Sequence, residues 1–272
     1  MIVNMPENGT IDFHAHAFPD ELAPRAMKKL LSEAPGVNAF LDGTITALTD
    51  SMNRNGISRS VICCIATTPE QFTPIFNWCR KIQTDRIIMF PSIHPADTKW
   101  KERIALIKEA GFRGIKMHPY YQDYFLDEDR MLPVYEELER NDLMVVAHTG
   151  YDISFVRDDR ASCRRILKVT EMFPRLKFVA THLGAWQQWE DVAQELAGKH
   201  IYMELSWSLE YLTPEQAKQI ILSHPPDCVL FGTDSPWTDQ GKTLSLLKDL
   251  KLPQGLERKI LRDNAMALLG LL

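Results

Sequence analysis

Short apolar runs and amphipathic segments alternate along the whole chain. The apolar runs are Ile11–His16, Arg59–Ala66, Ile87–His94, Arg113–His118, Leu143–His148, Phe178–His182, Ile201–Trp207 and Val229–Thr233. Each is rich in Val, Ile, Phe or Met and bounded by Pro, Gly or polar residues, which predicts eight β-strands. The segments between them are helix-length: Thr44–Asn55 (Leu48 and Met52 four apart), Pro69–Thr84, Thr98–Ala110, Arg130–Asn141, Arg160–Phe173, Trp186–Gly198, Thr213–Ser223 and Gly241–Leu250. Leu256–Leu269 closes the chain. Local signals agree. Pro69-Glu70 suits a helix start, Gly111 a helix end, and Thr213-Pro214-Glu215-Gln216 reads as an N-cap, a first-turn Pro and a capping-box Gln.

Eight strands, each followed by a helix, predict a (β/α)₈ TIM barrel, whose usual size is about 250 residues. The competing fold is an open doubly wound sheet, which carries a Gly-rich phosphate turn after its first strand; here Ala17-Phe18-Pro19-Asp20 follows instead. With no repeat, linker or low-complexity tract, a single domain over residues 1–272 is expected. A long insertion after the first strand, Ala17–Gly43, is expected to form a partly helical flap over the barrel mouth.

Composition narrows the partners. The chain has 272 residues, 45% hydrophobic and 25% charged, with a net charge of −5. This acidic balance offers no footprint for nucleic acid or a membrane surface, and no apolar run approaches the roughly 18–20 residues of a membrane span. The stretch Met1–Asn8 lacks the basic and apolar regions of a signal peptide. Five cysteines fit no disulfide framework and read as free, mostly buried thiols, which suits a cytoplasmic location. The expected partner is a small-molecule substrate, and a homodimer is compatible with exposed Trp and Met side chains.

The polar chemistry collects at strand ends. In Asp12-Phe13-His14-Ala15-His16 the two histidines are two apart, so a strand aims both at one point, with Asp12 below them on the same face. By itself this is a weak metal-binding signal. However, six of the eight histidines, His14, His16, His94, His118, His148 and His182, end predicted strands, and in a barrel those ends converge on the active-site face. His200 and His224 read as structural or solvated. Asp234 ends the last strand, next to the first in a closed barrel, and so meets His14 and His16; the alternative is a helix cap. Glu204 is a further candidate, or an ion-pair partner. Lys116 and His118 share one face of the fourth strand. A lysine inside a barrel needs a reason: it can hold a substrate carboxylate, tune neighbouring groups or, carboxylated, bridge two metals.

Together these pieces resemble the amidohydrolase superfamily, within it the amidohydrolase-related branch of small lactonases and nonoxidative decarboxylases. The matching segments are Asp12–His16, Gly114-Ile115-Lys116-Met117-His118-Pro119, His148-Thr149-Gly150, Thr181-His182-Leu183-Gly184 and Gly232-Thr233-Asp234. The resemblance implies a metal-dependent barrel hydrolase. His14, His16, His148 and Asp234 would bind one divalent ion, with His182 beside its water. In a binuclear version carboxylated Lys116 would bridge to a second ion on His148 and His182. A single ion is favoured, and three imidazoles with one carboxylate suit zinc, or manganese, over calcium or magnesium.

The leading expectation is hydrolysis of a small ester, lactone or amide by metal-activated water. Asp234 would move the proton and His182 would orient the water or stabilise the oxyanion. Lys116, His118, Trp207 and Trp237 are candidate substrate contacts, and Tyr120, Tyr121 and Tyr151 candidate walls. The first alternative is nonoxidative decarboxylation of an aromatic or unsaturated acid on the same metal, with Lys116, Arg157 or Arg160 for the carboxylates; many such enzymes look longer than this chain. Phosphoester hydrolysis of DNA, as in the TatD-like relatives, fits poorly with the acidic balance. A catalytically silent metal-binding barrel is the non-enzyme alternative.

Overall fold

The computed structural model describes residues 9–271; the Met1–Asn8 stretch lies outside them. Eight parallel strands are present: β1 (Thr10–Ala15), β2 (Ile57–Cys63), β3 (Ile87–Phe90), β4 (Gly114–Met117), β5 (Met144–Ala147), β6 (Phe178–Ala180), β7 (Tyr202–Glu204) and β8 (Val229–Leu230). They form two ladders, β1-β2-β3 and β4-β5-β6-β7-β8. Backbone hydrogen bonds join the ladders at both edges. Lys116 N donates to Pro91 O at 2.9 Å between β4 and β3, and Phe13 N donates to Phe231 O at 2.7 Å between β1 and β8. This is the parallel α/β architecture of a TIM barrel.

The connecting helices are α1 (Ala23–Glu33), α2 (Ile45–Asn55), α3 (Phe72–Ile82), α4 (Trp100–Glu109), α5 (Leu132–Arg140), α6 (Cys163–Met172), the single turn α7 (Trp189–Asp191), α8 (Pro214–Ser223), α9 (Gln240–Asp249), α10 (Gln254–Arg258) and α11 (Asn264–Leu268). The Thr213–Gln216 capping box forms as expected, and α1 makes the insertion partly helical. Two predicted helices are interrupted. The Trp186–Gly198 segment becomes α7 and a π-helical turn over Val192–Leu196. The last helix divides at a π-turn over Lys259–Asp263. There Phe231 N donates to Ile260 O at 2.9 Å, and Asn264 Nδ2 reaches Val229 O at 2.7 Å, so backbone groups of the last strand take their partners from this helix.

Two apolar clusters alternate along the strands, as a period of two requires. One, with Ile62, Met89, Ile115, Met117, Val145, Ala147, Met203 and Phe231, packs under the helices. The other, with Ile11, Phe13, Val61, Cys63, Phe90, Met144, Val146, Val179 and Leu230, fills the interior, and Ala265, Met266, Leu268 and Leu269 plug it from below. Above that interior layer the same alternation gives Lys116, His118, His148, Glu204, Ser206, Gly232 and Asp234. The inside of the barrel is thus apolar at the bottom and polar at the top.

Asp12 departs from the expected face. Between Asp12 and Ala15 the register of β1 slips against Ser60 and Ile62 of β2, three residues facing two. Such a bulge re-aims side chains. It turns His14 towards the interior and leaves Asp12 against β8 and α9, where Oδ1 accepts from Thr233 N (3.0 Å) and His14 N (3.2 Å), and Oδ2 from Thr233 Oγ1 (2.7 Å) and Gln240 Nε2 (2.8 Å). Asp12 therefore clamps the β1–β8 seam and lies apart from the two histidines' meeting point. Replacing Asp12 by Ala strands these buried donors, and we expect a loss of about 3 kcal/mol or more in unfolding free energy; a loss under about 1 kcal/mol in denaturant titration would mean that the seam holds without the clamp.

Candidate metal centre and substrate cleft

The bulge and the end of β8 bring three ligand atoms together. His14 Nε2 and His16 Nε2 lie 3.1 Å apart, and Asp234 Oδ1 is 3.4 Å from the first and 3.0 Å from the second. The other ring nitrogens are already committed. His14 Nδ1 donates to Glu204 Oε1 (2.9 Å), and His16 Nδ1 to Cys63 O (2.7 Å). Both neutral rings then present Nε2 lone pairs to each other. Two lone pairs at that distance repel unless a cation sits between them, and acceptors on the far ring nitrogens are the usual supports of metal-bound histidines. The donor set fits a divalent transition metal. Asp234 adopts a left-handed backbone (φ 66°), held by Asp234 N donating to His14 O at 2.7 Å. Burial alone would raise its carboxyl; positive charge on the facing His14 and His16 rings would hold it below the usual carboxylate range, and with both rings neutral that charge is left for an ion to supply.

His148 lies one step away. Its Nδ1 faces His182 Nε2 at 3.0 Å, and its Nε2 faces Tyr151 O at 2.9 Å. It also groups with His118 and Asp152. His118 Nε2 is 3.4 Å and His148 Nε2 3.7 Å from Asp152 Oδ2. The two rings stack at 4.1 Å with planes 14° apart. His182 also has a positive φ (58°), which turns it inward, where Nδ1 reaches Ser206 O at 3.0 Å. His94 does not join these groups; its Nδ1 accepts from Ala96 N at 3.1 Å and caps a turn. His224 is structural, bonded to Ile201 O.

Lys116 is fully buried, with Nζ 3.3 Å from His14 Nε2. Burial lowers its pKa. Among the described residues no carboxylate lies within ion-pair distance of it, whereas Arg160 pairs with Asp123 and Asp158, and Arg157 binds Gln187 and lies over the Tyr151 ring. A cleft of about 310 Å³ is lined by Phe40, Ile153, Trp207, Glu210, Tyr211 and Trp237, among others; the lining holds none of the candidate ligands, but Trp207 follows Ser206 in the chain and Trp237 N donates to Asp234 O at 2.9 Å. Trp207 holds a positive φ of 45°, rare for a bulky residue and a mark of functional sites. Phe40 brings the insertion into this wall, bonded through its N–H to Pro236 O at 2.8 Å. Tyr120 and Tyr121 pack on the His118 ring instead. Sequence reasoning missed Asp152, Ser206 and the carbonyl of Cys63. Ser206 was legible as the residue two beyond Glu204; the other two carry no pattern.

A family model described as amidohydrolase matches residues 11–271. The chain belongs to the amidohydrolase family. A comparison with curated protein sequences finds no match. Among solved structures, a dihydroxybenzoic acid decarboxylase from Polaromonas sp. JS666, with bound manganese and 2-nitroresorcinol, is 15% identical at a TM-score of 0.71 over 97% of each chain. A 5-carboxyvanillate decarboxylase from Sphingomonas paucimobilis is 13% identical at 0.70, over 97% of this chain and 99% of that one. An uncharacterised TIM-barrel protein from Bordetella bronchiseptica is 18% identical at 0.73, over 96% and 98%. At such identities the likeness is one of fold.

Two outcomes follow for the centre. Asp234→Asn removes the anionic ligand, so stoichiometric Zn²⁺ or Mn²⁺ binding in chelator competition is expected to vanish while far-UV circular dichroism is retained; undiminished binding would take Asp234 out of the centre. Stability should also follow pH. Burial keeps His14, His118, His148 and His182 below the usual histidine range. As pH falls through about 6.5 the unfolded chain takes up protons that the folded chain refuses, so stability falls. His94 and His224 are lowered by burial as well, while Asp12, pushed up to about 7 by burial, and Glu204 and Glu210, raised by burial, oppose this, three groups against six. With at most about 1.4 kcal/mol per pH unit per group, a net loss of roughly 1–3 kcal/mol per unit is expected for the metal-free protein below pH 6. A flat profile between pH 7 and 5 would contradict it.

Proposed function

We propose that this protein is a metal-dependent nonoxidative decarboxylase acting on an aromatic carboxylic acid. Lys116 carries the reading. A buried ammonium without an anion is costly, and its one close partner, His14 Nε2, is the atom the ion would take. A carboxylate substrate completes Lys116; a neutral ester or lactone does not. The Trp207–Trp237 cleft, walled by Phe40 and Tyr211, suits a flat ring, and the named ligands of similar structures are substituted aromatic acids and phenols.

Manganese or zinc held by His14, His16 and Asp234, with His148 as the further ligand that the family resemblance implies, supplies positive charge that polarises the substrate oxygens next to the bond that breaks. One ion is favoured on this reading because Lys116, which the two-ion version needs as a carboxylated bridge, is taken as the ammonium that holds the substrate carboxylate. Lys116 holds the carboxylate. The carbon–carbon bond breaks, its electron pair stays on the ring carbon, CO₂ leaves, and a proton drawn from solvent takes its place. His182, whose Nδ1 donates to Ser206 O and whose free Nε2 faces His148 Nδ1, would relay that proton. Asp234, held ionised, serves as ligand.

The test is CO₂ release from a panel of hydroxylated aromatic acids by the metal-reconstituted protein. Release without water oxygen in the product is expected. Hydrolysis of esters, lactones or amides, with water oxygen incorporated and no CO₂, would replace this reading by the hydrolase alternative. Lys116→Met should lower kcat/KM by about 100-fold, equivalent to ~2.7 kcal/mol of transition-state stabilisation; an unchanged value would remove Lys116 from substrate binding.

A further inference from the structure

We infer that Glu204 is a positioning residue of the centre, holding His14 in the Nδ1–H form so that Nε2 is free for the ion, and fixing the segment that carries His182. The inference rests on reading His14 as a metal ligand. Glu204 is completely buried, and no Lys or Arg pairs with it among the described residues. Instead it collects donors. Oε1 accepts from His14 Nδ1 (2.9 Å), Ser206 Oγ (2.7 Å) and His182 N (3.0 Å), and Oε2 from Ser206 N (2.7 Å). Two backbone N–H groups, His182 N on Oε1 and Ser206 N on Oε2, can only donate, so the carboxylate is the accepting side of its contacts and the proton shared with His14 is assigned to the imidazole. A carboxylate behind a ligating histidine sets its tautomer, aims its ring and raises its basicity.

The neighbouring strand, β8, makes room for this group. A Cβ at Gly232 would overlap Glu204 Oε2 and lie 3.1 Å from Glu204 Cδ and 3.2 Å from His14 Cβ. The glycine after Phe231 is thus the space in which the Glu204 carboxylate lies, and the same observation supplies a second way to perturb it.

Glu204→Gln keeps the volume but turns one acceptor into a donor. Whichever way the amide turns, the negative charge that favours the proton on His14 Nδ1 is gone, so the Nε2–H tautomer, which cannot ligate through Nε2, gains population. In the folded variant, competition with a chromogenic chelator should show Zn²⁺ affinity lower by roughly 10–100-fold, and ¹⁵N spectra of the metal-free protein should show His14 moving from Nδ1–H to Nε2–H. Gly232→Ala, which displaces the carboxylate with its charge intact, should weaken Zn²⁺ binding as well. A Glu204 that only ties strands together predicts a lower melting temperature for Glu204→Gln with unchanged Zn²⁺ affinity and tautomer, and that result overturns the inference. If Glu204→Gln fails to fold, the wild-type spectrum decides: Nδ1–H at His14 supports the inference and Nε2–H overturns it. A wild-type protein that shows the Nδ1–H form but binds no Zn²⁺ refutes the metal reading and leaves the tautomer assignment standing.

Discussion

Charge buried inside the barrel has to be matched, and the upper half of this structure follows from that constraint. Asp12, Lys116, Glu204 and Asp234 are all withdrawn from water, where an unpaired charge costs several kcal/mol. Asp12 is satisfied by donors from β1, β8 and α9, and so locks the seam between the first and last strands. Glu204 is satisfied by donors from three strand ends. Asp234 faces two imidazoles. Lys116 alone has no opposite charge, and that imbalance separates a site for acids from a site for neutral substrates.

The barrel was legible because its signals are local and repeated. Each strand is a short apolar run, each helix has its cap or its stop, and the histidines fall where apolar runs end. The site was legible as far as strict alternation carries. Lys116 and His118 share a face because β4 is regular, and Asp234 meets His16 because β8 neighbours β1. Reasoning by alternation failed where the backbone breaks the rule. The bulge in β1 turned Asp12 away from the histidines, and positive φ values at His182 and Trp207 re-aimed residues whose parity points elsewhere. His94 lies beyond the last paired residue of β3, where a turn takes its nitrogen. Asp152 stands on a loop whose course no periodicity encodes.

The same geometry weighs the two chemistries that the sequence left open. Hydrolysis and decarboxylation need the same metal corner, so the triad of His14, His16 and Asp234 does not divide them. On the proposed decarboxylase reading, what divides them is Lys116, an ammonium beside His14 with no anion, and the aromatic cleft, one of whose members comes from the insertion after β1. Specificity therefore sits on loops from opposite ends of the sequence, carried by a frame whose ladders fix their spacing.

The seam between β1 and β8 also dictates when the centre can exist. His16 and Asp234 touch, yet they lie more than two hundred residues apart in the chain, and the plug beneath them comes from the final helix. During synthesis the first strand emerges with its two histidines and no partner for either edge of the ring. The carboxylate that completes the corner is made more than two hundred residues after the histidines, and the interior stays open from below until Ala265–Leu269 follows. A nascent barrel that lacks the β8 segment thus holds the two histidines without the carboxylate.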